Sequence, residues 1–99
     1  MESNINVVNR EKIKIQVPKN YKVIMYNDDF TTMEFVIYVL EEIFNKSSIE
    51  ANQIMMEVHE KGAGVAGIYS YDIAISKVEK VARLAKEDGF PFKLLVEEE

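Results

Sequence analysis

Two groups of residues in this chain have the chemistry of a binding or catalytic site. Asn27, Asp28 and Asp29 stand side by side, and His59 is the only histidine among the 99 residues. Carboxylates together with an imidazole can bind a divalent cation, and they can also act as general acids and bases. The amide of Asn27 adds a neutral hydrogen-bond acceptor. These residue types therefore allow a metal site, acid–base catalysis or the recognition of a cationic ligand.

Catalysis is the least supported of the three possibilities. The sequence contains no G-x-S-x-G, no H-E-x-x-H and no P-loop motif. Without any cysteine it also lacks a thiol nucleophile and the usual thiolate ligands of zinc. An Asn-Asp-Asp turn before a helix is common, and His59 near a helix end can be explained by the helix dipole alone. We therefore predict that the protein is not an enzyme and needs no metal or cofactor.

Met33 points to recognition of a ligand that is both cationic and apolar. It follows the acidic loop closely, at the start of a predicted helix, where side chains are often partly exposed. Methionine usually fills gaps in a core, but here a flexible apolar side chain would form the rim of a pocket. Acidic and amide groups at the mouth and apolar groups inside suit an ammonium group attached to a bulky apolar side chain.

The first elements that must position these residues are a strand and a helix. Residues 21–26 are rich in β-forming side chains and end at the Asn-Asp-Asp turn, which predicts a strand. Thr31 and Glu34 have the spacing of a capping box, which predicts a helix from residue 32 to about 45. Apolar residues at helical spacing predict its buried face: Val36, Val39, Leu40, Ile43 and Phe44.

The remaining elements complete an α+β domain. Ser47 and Glu50 form a second capping-box pattern before a helix over 48–61, which Gly62 is placed to end in a left-handed conformation. Residues 64–69 predict a strand, a third helix is predicted from Ser70 or Asp72 to about 88, and 92–96 predict the last strand. The order β-α-α-β-α-β predicts three helices covering one face of a small three-stranded sheet.

Composition and charge limit the class of protein. The chain is long enough for one domain, which we place at residues 21–99 after a flexible extension over 1–20. Ile13, Ile15 and Val17 alternate with polar residues, so this extension is either a disordered terminus or a tether that docks on a partner. A net charge of −5 argues against nucleic acid as the main ligand. No apolar run is long enough to span a membrane.

Two sequence blocks resemble the ClpS family, the bacterial adaptors that deliver N-degron proteins to a Clp protease. The block YKVIMYNDDFTTMEFV is similar to the family pattern YKV-x-x-x-NDD-[YF]-T-P-MEFV. The block MMEVHEKGAGVAGIYSYDIAISKV is similar to M-x-x-VH-x-x-G…G-x-[YF]…A-x-x-K-V. The resemblance covers residues 21–96. It implies a cytoplasmic bacterial adaptor with three helices and a three-stranded antiparallel sheet, which binds substrates whose N-terminal residue is Leu, Phe, Tyr or Trp.

The resemblance also implies roles for individual residues. The α-amino group of the substrate would be held by Asn27, Asp29 and His59. The hydrophobic pocket would be lined by Asp28, Thr31, Met33, Val36, Met55, Val58 and Phe92. Met33 would exclude β-branched side chains, and the N-domain of a ClpA- or ClpC-type AAA+ ATPase would contact Asp72 and Lys77. No cofactor is implied.

Two positions depart from the family pattern. Thr32 replaces a proline, which is favoured at the first position of a helix, so we expect a slightly less rigid loop. Phe92 replaces a leucine, and we expect its larger ring to narrow the pocket. An alternative of similar fold is a protein-interaction module like the C-terminal domain of the ribosomal stalk, which uses a helix face and has no amino-acid pocket.

Overall fold

The protein has the predicted order of strands and helices. A computed structural model describes residues 18–99. Its elements, in chain order, are β1 (Tyr21–Tyr26), α1 (Met33–Glu42), α2 (Ser48–Lys61), β2 (Ala63–Tyr69), α3 (Tyr71–Asp88) and β3 (Lys93–Glu98). The α+β class and the β-α-α-β-α-β order are therefore confirmed. Most of the predicted N-terminal extension, residues 1–17, lies outside the described residues.

The three strands form one antiparallel sheet with β1 in the middle, in the order β2-β1-β3. Side chains of β1 alternate between the two faces, as the pleat of a strand requires. Val23 and Met25 are fully buried under the helices, whereas Ile24 lies on the opposite face and is only partly covered. A register shift between Val23 and Ile24 interrupts the pairing with β2.

The core lies between this sheet and the three helices. The face predicted for α1 is buried throughout, and α2 and α3 each contribute a shorter stripe. Burying one such side chain stabilises the fold by about 1.5–3 kcal/mol, so α1 with its four buried residues is firmly fixed against the sheet. The buried residues of the helical face are Phe35, Val36, Val39, Leu40, Ile43, Phe44, Ala51, Met55, Val58, Ala74, Val81 and Ala85.

The start of α1 differs from the prediction. The N-cap residue is Thr32, whose side chain accepts a 3.2 Å hydrogen bond from the Phe35 N–H. The predicted capping box of Thr31 and Glu34 is wrong, because the Thr31 hydroxyl and N–H both bond to the Asp28 carboxylate instead. Thr32 therefore does not stand at the first helical position, and threonine is a favoured residue at the N-cap.

The other helix ends follow their local signals closely. The Ser47–Glu50 capping box forms in both directions at the start of α2. Gly62 ends α2 with φ +89°, and Gly89 ends α3 with φ +73°. Helix α1 ends at Glu42, three residues before the predicted position. Strand β3 was predicted over 92–96; it begins one residue later and ends two residues later. No helix within residues 18–99 has the length and hydrophobicity needed to cross a membrane.

Candidate functional site

One cavity gathers nearly all of the residues that the sequence nominated. It has a volume of about 280 Å³ and lies between the loop after β1, the first two turns of α1 and the second half of α2. Its lining consists of Asn27, Asp28, Asp29, Thr31, Met33, Val36, Met55, Val58 and His59. The three predicted amine-binding residues and six of the seven predicted pocket residues therefore line a single cavity.

Asp28 organises the loop that forms one side of the mouth. Its Oδ1 accepts hydrogen bonds from the N–H groups of Phe30 at 2.9 Å and Thr31 at 2.7 Å. Its Oδ2 accepts from the Thr31 hydroxyl at 2.8 Å. Partial burial raises the pKa of Asp28, but the hydrogen bonds from Thr31 and Phe30 outweigh it, so the pKa is lowered overall. Asp28 is thus an ionised structural residue whose acceptor oxygens are already in use.

Asp29 and its two predicted partners are in the opposite situation. Asn27, Asp29 and His59 are all exposed at the mouth of the cavity. None of the side-chain hydrogen bonds formed among residues 18–99 involves them. A carboxylate, an amide oxygen and a neutral imidazole nitrogen are all acceptors. The mouth therefore presents acceptor groups that are free to bind a ligand with several N–H donors.

A backbone hydrogen bond joins the two halves of this mouth. The N–H of Asn27 donates to the carbonyl oxygen of Gly62 at 2.9 Å. Gly62 directly follows the last turn of α2, which carries His59. The end of β1 and the end of α2 are thereby held together, although Asn27 and His59 are far apart in sequence. From the sequence, Gly62 was expected only to end the helix, and its role as acceptor was missed.

The interior of the cavity is apolar and firmly packed. Val36, Met55 and Val58 line it, and none of them is more than 7% exposed. Met33, in contrast, is 45% exposed and lies at the first position of α1. A rigid apolar floor with a flexible methionine at its rim can enclose an apolar side chain that enters from the mouth.

Phe92 does not line this cavity, contrary to the prediction. It is buried and packs edge-to-face against Phe35, with ring centroids 6.1 Å apart. It contributes to a separate depression between α3 and the start of β3, together with Val78 and Val81. The sheet order explains the difference, because β3 and β2 flank β1 on opposite sides and α2 packs mainly against β2.

Asp72 and Lys77, the predicted ATPase contacts, lie apart from the cavity on α3. Asp72 is exposed in the first turn of the helix. Lys77 is half-buried, and its ammonium donates to the carbonyl oxygen of Ile43 at 2.6 Å. The same ammonium lies 5.1 Å from the Tyr69 ring centroid. Lys77 therefore stabilises the C-terminal end of α1, where carbonyl groups lack helical partners.

The acidic residues in the described part of the chain do not assemble into a metal centre. No group of three or more His, Cys, Asp or Glu side chains within residues 18–99 is arranged so that it could hold a metal ion. Asp28 is hydrogen-bonded to Thr31 and Phe30, so only Asp29 and His59 remain at the mouth as possible metal ligands.

Comparisons with known proteins give the same family throughout. Residues 16–95 match the family described as ATP-dependent Clp protease adaptor protein ClpS. The ClpS adapter of Clostridium acetobutylicum is 51% identical over 90% of this chain and 88% of its own length. That of Desulfatibacillum aliphaticivorans is 50% identical over 87% and 83%.

A solved structure extends this likeness to three dimensions. It is that of Agrobacterium tumefaciens ClpS2 bound to L-phenylalaninamide, with a TM-score of 0.80 and 40% sequence identity. It covers 84% of this chain and all of the other. Fold, family model and relatives agree, and the chain belongs to the ClpS family of adaptor proteins of the ATP-dependent Clp protease.

Proposed function

We propose that the cavity binds the N-terminal residue of protein substrates, when that residue is Leu, Phe, Tyr or Trp. The bound substrate is then delivered to a Clp AAA+ unfoldase and its protease for degradation. The observation that carries this proposal is the set of three free acceptors, Asn27, Asp29 and His59, at the mouth of an apolar cavity. The related ClpS2 bound to L-phenylalaninamide supports it, since that compound has both a free α-amino group and an apolar side chain.

The α-amino group accounts for the polar half of the site. An α-amino group has a pKa of about 7.7–8.0, so at neutral pH it is mostly protonated and offers three N–H donors. Asn27 Oδ1, the Asp29 carboxylate and a neutral nitrogen of His59 supply three acceptors. Hydrogen bonds to a charged group each contribute about 1.5–3 kcal/mol. An acetylated N-terminus has lost both the charge and two of these donors.

The apolar half of the site accounts for the choice of side chain. Burying a Phe or Leu side chain contributes about 1.5–3 kcal/mol, and association itself costs several kcal/mol. Neither half alone overcomes that cost comfortably, so binding requires a free amine and a bulky apolar side chain together. Met33 stands at the rim, where it would collide with a side chain that branches at Cβ.

The protein acts as an adaptor and not as an enzyme in this proposal. Capture and delivery need no covalent step, which agrees with the missing nucleophile motifs. We propose that the partner is the N-domain of a ClpA- or ClpC-type ATPase, contacted through Asp72 and Lys77, in the bacterial cytoplasm. Of these two residues, Asp72 is the more available, because the Lys77 ammonium is already bound to Ile43 O.

Calorimetric titration with a matched pair of peptides tests the binding function. The peptides share one sequence beginning with Leu and differ only in acetylation of the N-terminus. We expect the free peptide to bind and the acetylated peptide to bind at least about a hundredfold more weakly, since two charge-assisted hydrogen bonds are lost. Equal binding of the two peptides refutes the amine site and favours an interaction module of stalk-domain type. Turnover of the peptide, or a requirement for a metal in chelator-treated samples, would instead favour an enzyme.

A further inference from the structure

Gly64 lies directly behind one wall of the cavity. It is a buried residue of β2, paired with Met25 of β1. A Cβ atom built on Gly64 would stand 2.9 Å from Cγ2 of Val58. Val58 in turn lines the cavity and is only 3% exposed. Side-chain carbon atoms do not tolerate so short a separation, so the position of Val58 depends on the absence of a side chain at residue 64.

The need for glycine here does not come from the backbone. Among residues 18–99, the glycines with positive φ are Gly62 and Gly89, so alanine could adopt the backbone conformation of Gly64. The nearest α2 backbone atoms, Ile54 O and Val58 N, would each stand 3.6 Å from the added Cβ. That distance is ordinary van der Waals contact. Only the side chain of Val58 would clash with the added Cβ, so the backbone of α2 can keep its position.

The direction in which Val58 would move follows from its surroundings. Valine in a helix strongly prefers one χ1 rotamer, so its isopropyl group cannot simply swing aside. Protein interiors are close-packed, and Val58 is itself a member of the buried core. The open space that it borders is the cavity of about 280 Å³. A methyl group at residue 64 therefore pushes the wall inward and makes the cavity shallower.

We propose that Gly64 is a specificity-determining residue, which sets the largest N-terminal side chain that the cavity admits. This inference rests on the proposed function, because it takes the cavity to hold that side chain. Gly64 contacts no ligand and acts through Val58. Its expected signature is a change in the preference between large and smaller apolar side chains, with the requirement for a free amine left intact.

Two peptides that differ only in beginning with Phe or Leu test this proposal against the wild type and Gly64→Ala. We expect Gly64→Ala to weaken the Phe peptide about tenfold, or about 1.4 kcal/mol, which lies within the cost of overpacking by a methyl group. The affinity for the Leu peptide, whose side chain is smaller, should fall by less than about threefold. Gly67→Ala is the control for overpacking elsewhere in the same strand, since its added Cβ would overlap the Tyr69 ring, which does not line the cavity, even more closely than that of Gly64 overlaps Val58. It should leave both affinities within about twofold of the wild type.

A double variant isolates the contact that carries the effect. Val58→Ala removes the Cγ2 atom. When Gly64→Ala is added to Val58→Ala, the ratio of the Phe and Leu affinities should therefore change by less than about twofold. Such a non-additive result is expected of residues in contact. Equal weakening of both peptides, weakening of neither, or a tenfold effect that persists without Cγ2 overturns the proposal. If Gly64→Ala alone does not fold, the double variant must fold and show the same Phe-to-Leu preference as Val58→Ala. Failure of the double variant to fold also overturns the proposal.

The proposed function fails in a different way. A wild-type protein that binds neither peptide, or that binds acetylated peptides equally well, refutes the amine site before any variant is made. A wild-type protein that requires the free amine, combined with an unchanged preference in Gly64→Ala, refutes only the role of Gly64.

Discussion

The N–H of Asn27 donates a 2.9 Å hydrogen bond to the carbonyl oxygen of Gly62. This bond connects the loop after β1 to the residue that ends α2. Gly62 accomplishes this in a left-handed conformation with φ +89°, and its own N–H donates to Val58 O at 2.9 Å. The separation between Asn27 and His59, and therefore the geometry of the proposed amine site, depends on this junction.

The first prediction concerns that junction. Gly62→Ala and Gly89→Ala are a matched pair, because both glycines end a helix with positive φ and an added Cβ would meet nothing within 4 Å at either. Both variants should lose about 1 kcal/mol or more of unfolding free energy, since alanine is strained at positive φ. Only Gly62→Ala should also weaken binding of a Leu peptide, by about tenfold. Chemical denaturation and peptide titration measure the two effects.

Gly62→Asn separates strain from position, because asparagine tolerates the left-handed conformation better than alanine. It should recover most of the affinity that Gly62→Ala loses. If Gly89→Ala weakens peptide binding as much as Gly62→Ala does, general destabilisation explains the effect and the junction has no special role.

The second prediction separates the two adjacent carboxylates. Asp28→Ala should lower the unfolding free energy by about 1–2 kcal/mol, because three hydrogen bonds to a partly buried carboxylate are lost. Asp29→Ala should change stability by less than about 0.5 kcal/mol, as surface substitutions usually do, but should weaken peptide binding strongly. Urea denaturation and peptide titration of both variants check this division. Similar stability losses in the two variants would contradict it.

The third prediction is a pH dependence of stability that comes from Asp28. Its pKa is lowered in the folded protein from an ordinary value of 3.8, so the unfolded chain binds this proton more readily than the folded one. The stability contributed by Asp28 is therefore complete well above pH 3.8 and is lost as the pH falls through the lowered value. In urea titrations, the difference between wild type and Asp28→Ala should shrink as the pH is lowered from 7 towards 2.5. A difference that stays constant would show that the carboxylate charge does not matter.

The fourth prediction concerns His59 and the pH dependence of binding. An imidazole must be neutral at one nitrogen to accept from an ammonium group, and histidine commonly changes charge between pH 5 and 8. Binding of a Leu peptide should therefore weaken as the pH falls from 7 to 5, a range in which the ligand amine stays protonated. His59→Ala should bind more weakly and show a flatter profile, and because His59 is the only histidine the assignment is unambiguous. A wild-type affinity that is flat over this range would mean that His59 does not accept from the ligand.

The fifth prediction concerns Met33 at the rim. Met33→Ala should admit peptides beginning with Ile or Val, because the collision with a branched Cβ is removed. Met33 is 45% exposed, so its truncation should cost little stability. Fluorescence anisotropy with Leu, Ile and Val peptides measures the change. A variant that binds the Leu peptide normally and still excludes the Ile and Val peptides would show that Met33 does not exclude β-branched side chains.

Local sequence signals determined most of the elements that build the cavity. The strand before Asn27, the capping box of Ser47 and Glu50 and the glycine end of α2 were all predicted from residues within a few positions of each other. The two ends of α2 depend on hydrogen bonds between near neighbours in the chain, and the strand is marked by its β-forming side chains and the turn after it. All three can therefore be recognised without knowledge of the fold. Where two neighbouring caps competed, the local pattern misled, because Asp28 takes the Thr31 hydroxyl and leaves the N-cap position to Thr32.

The tertiary structure decided which side chains meet and which are free. The sheet order β2-β1-β3 places Phe92 beside Phe35, away from the cavity. Packing of β2 against α2 places Gly64 directly against the Val58 side chain. Packing of α3 against the end of α1 lets the Lys77 ammonium donate to the carbonyl oxygen of Ile43. Such contacts join residues distant in sequence, so no local pattern encodes them. The sequence thus identified the residue types of the proposed amine-binding pocket, and long-range packing determined its walls and its depth. The local bonds of Asp28 to Phe30 and Thr31 leave Asp29 as the free carboxylate.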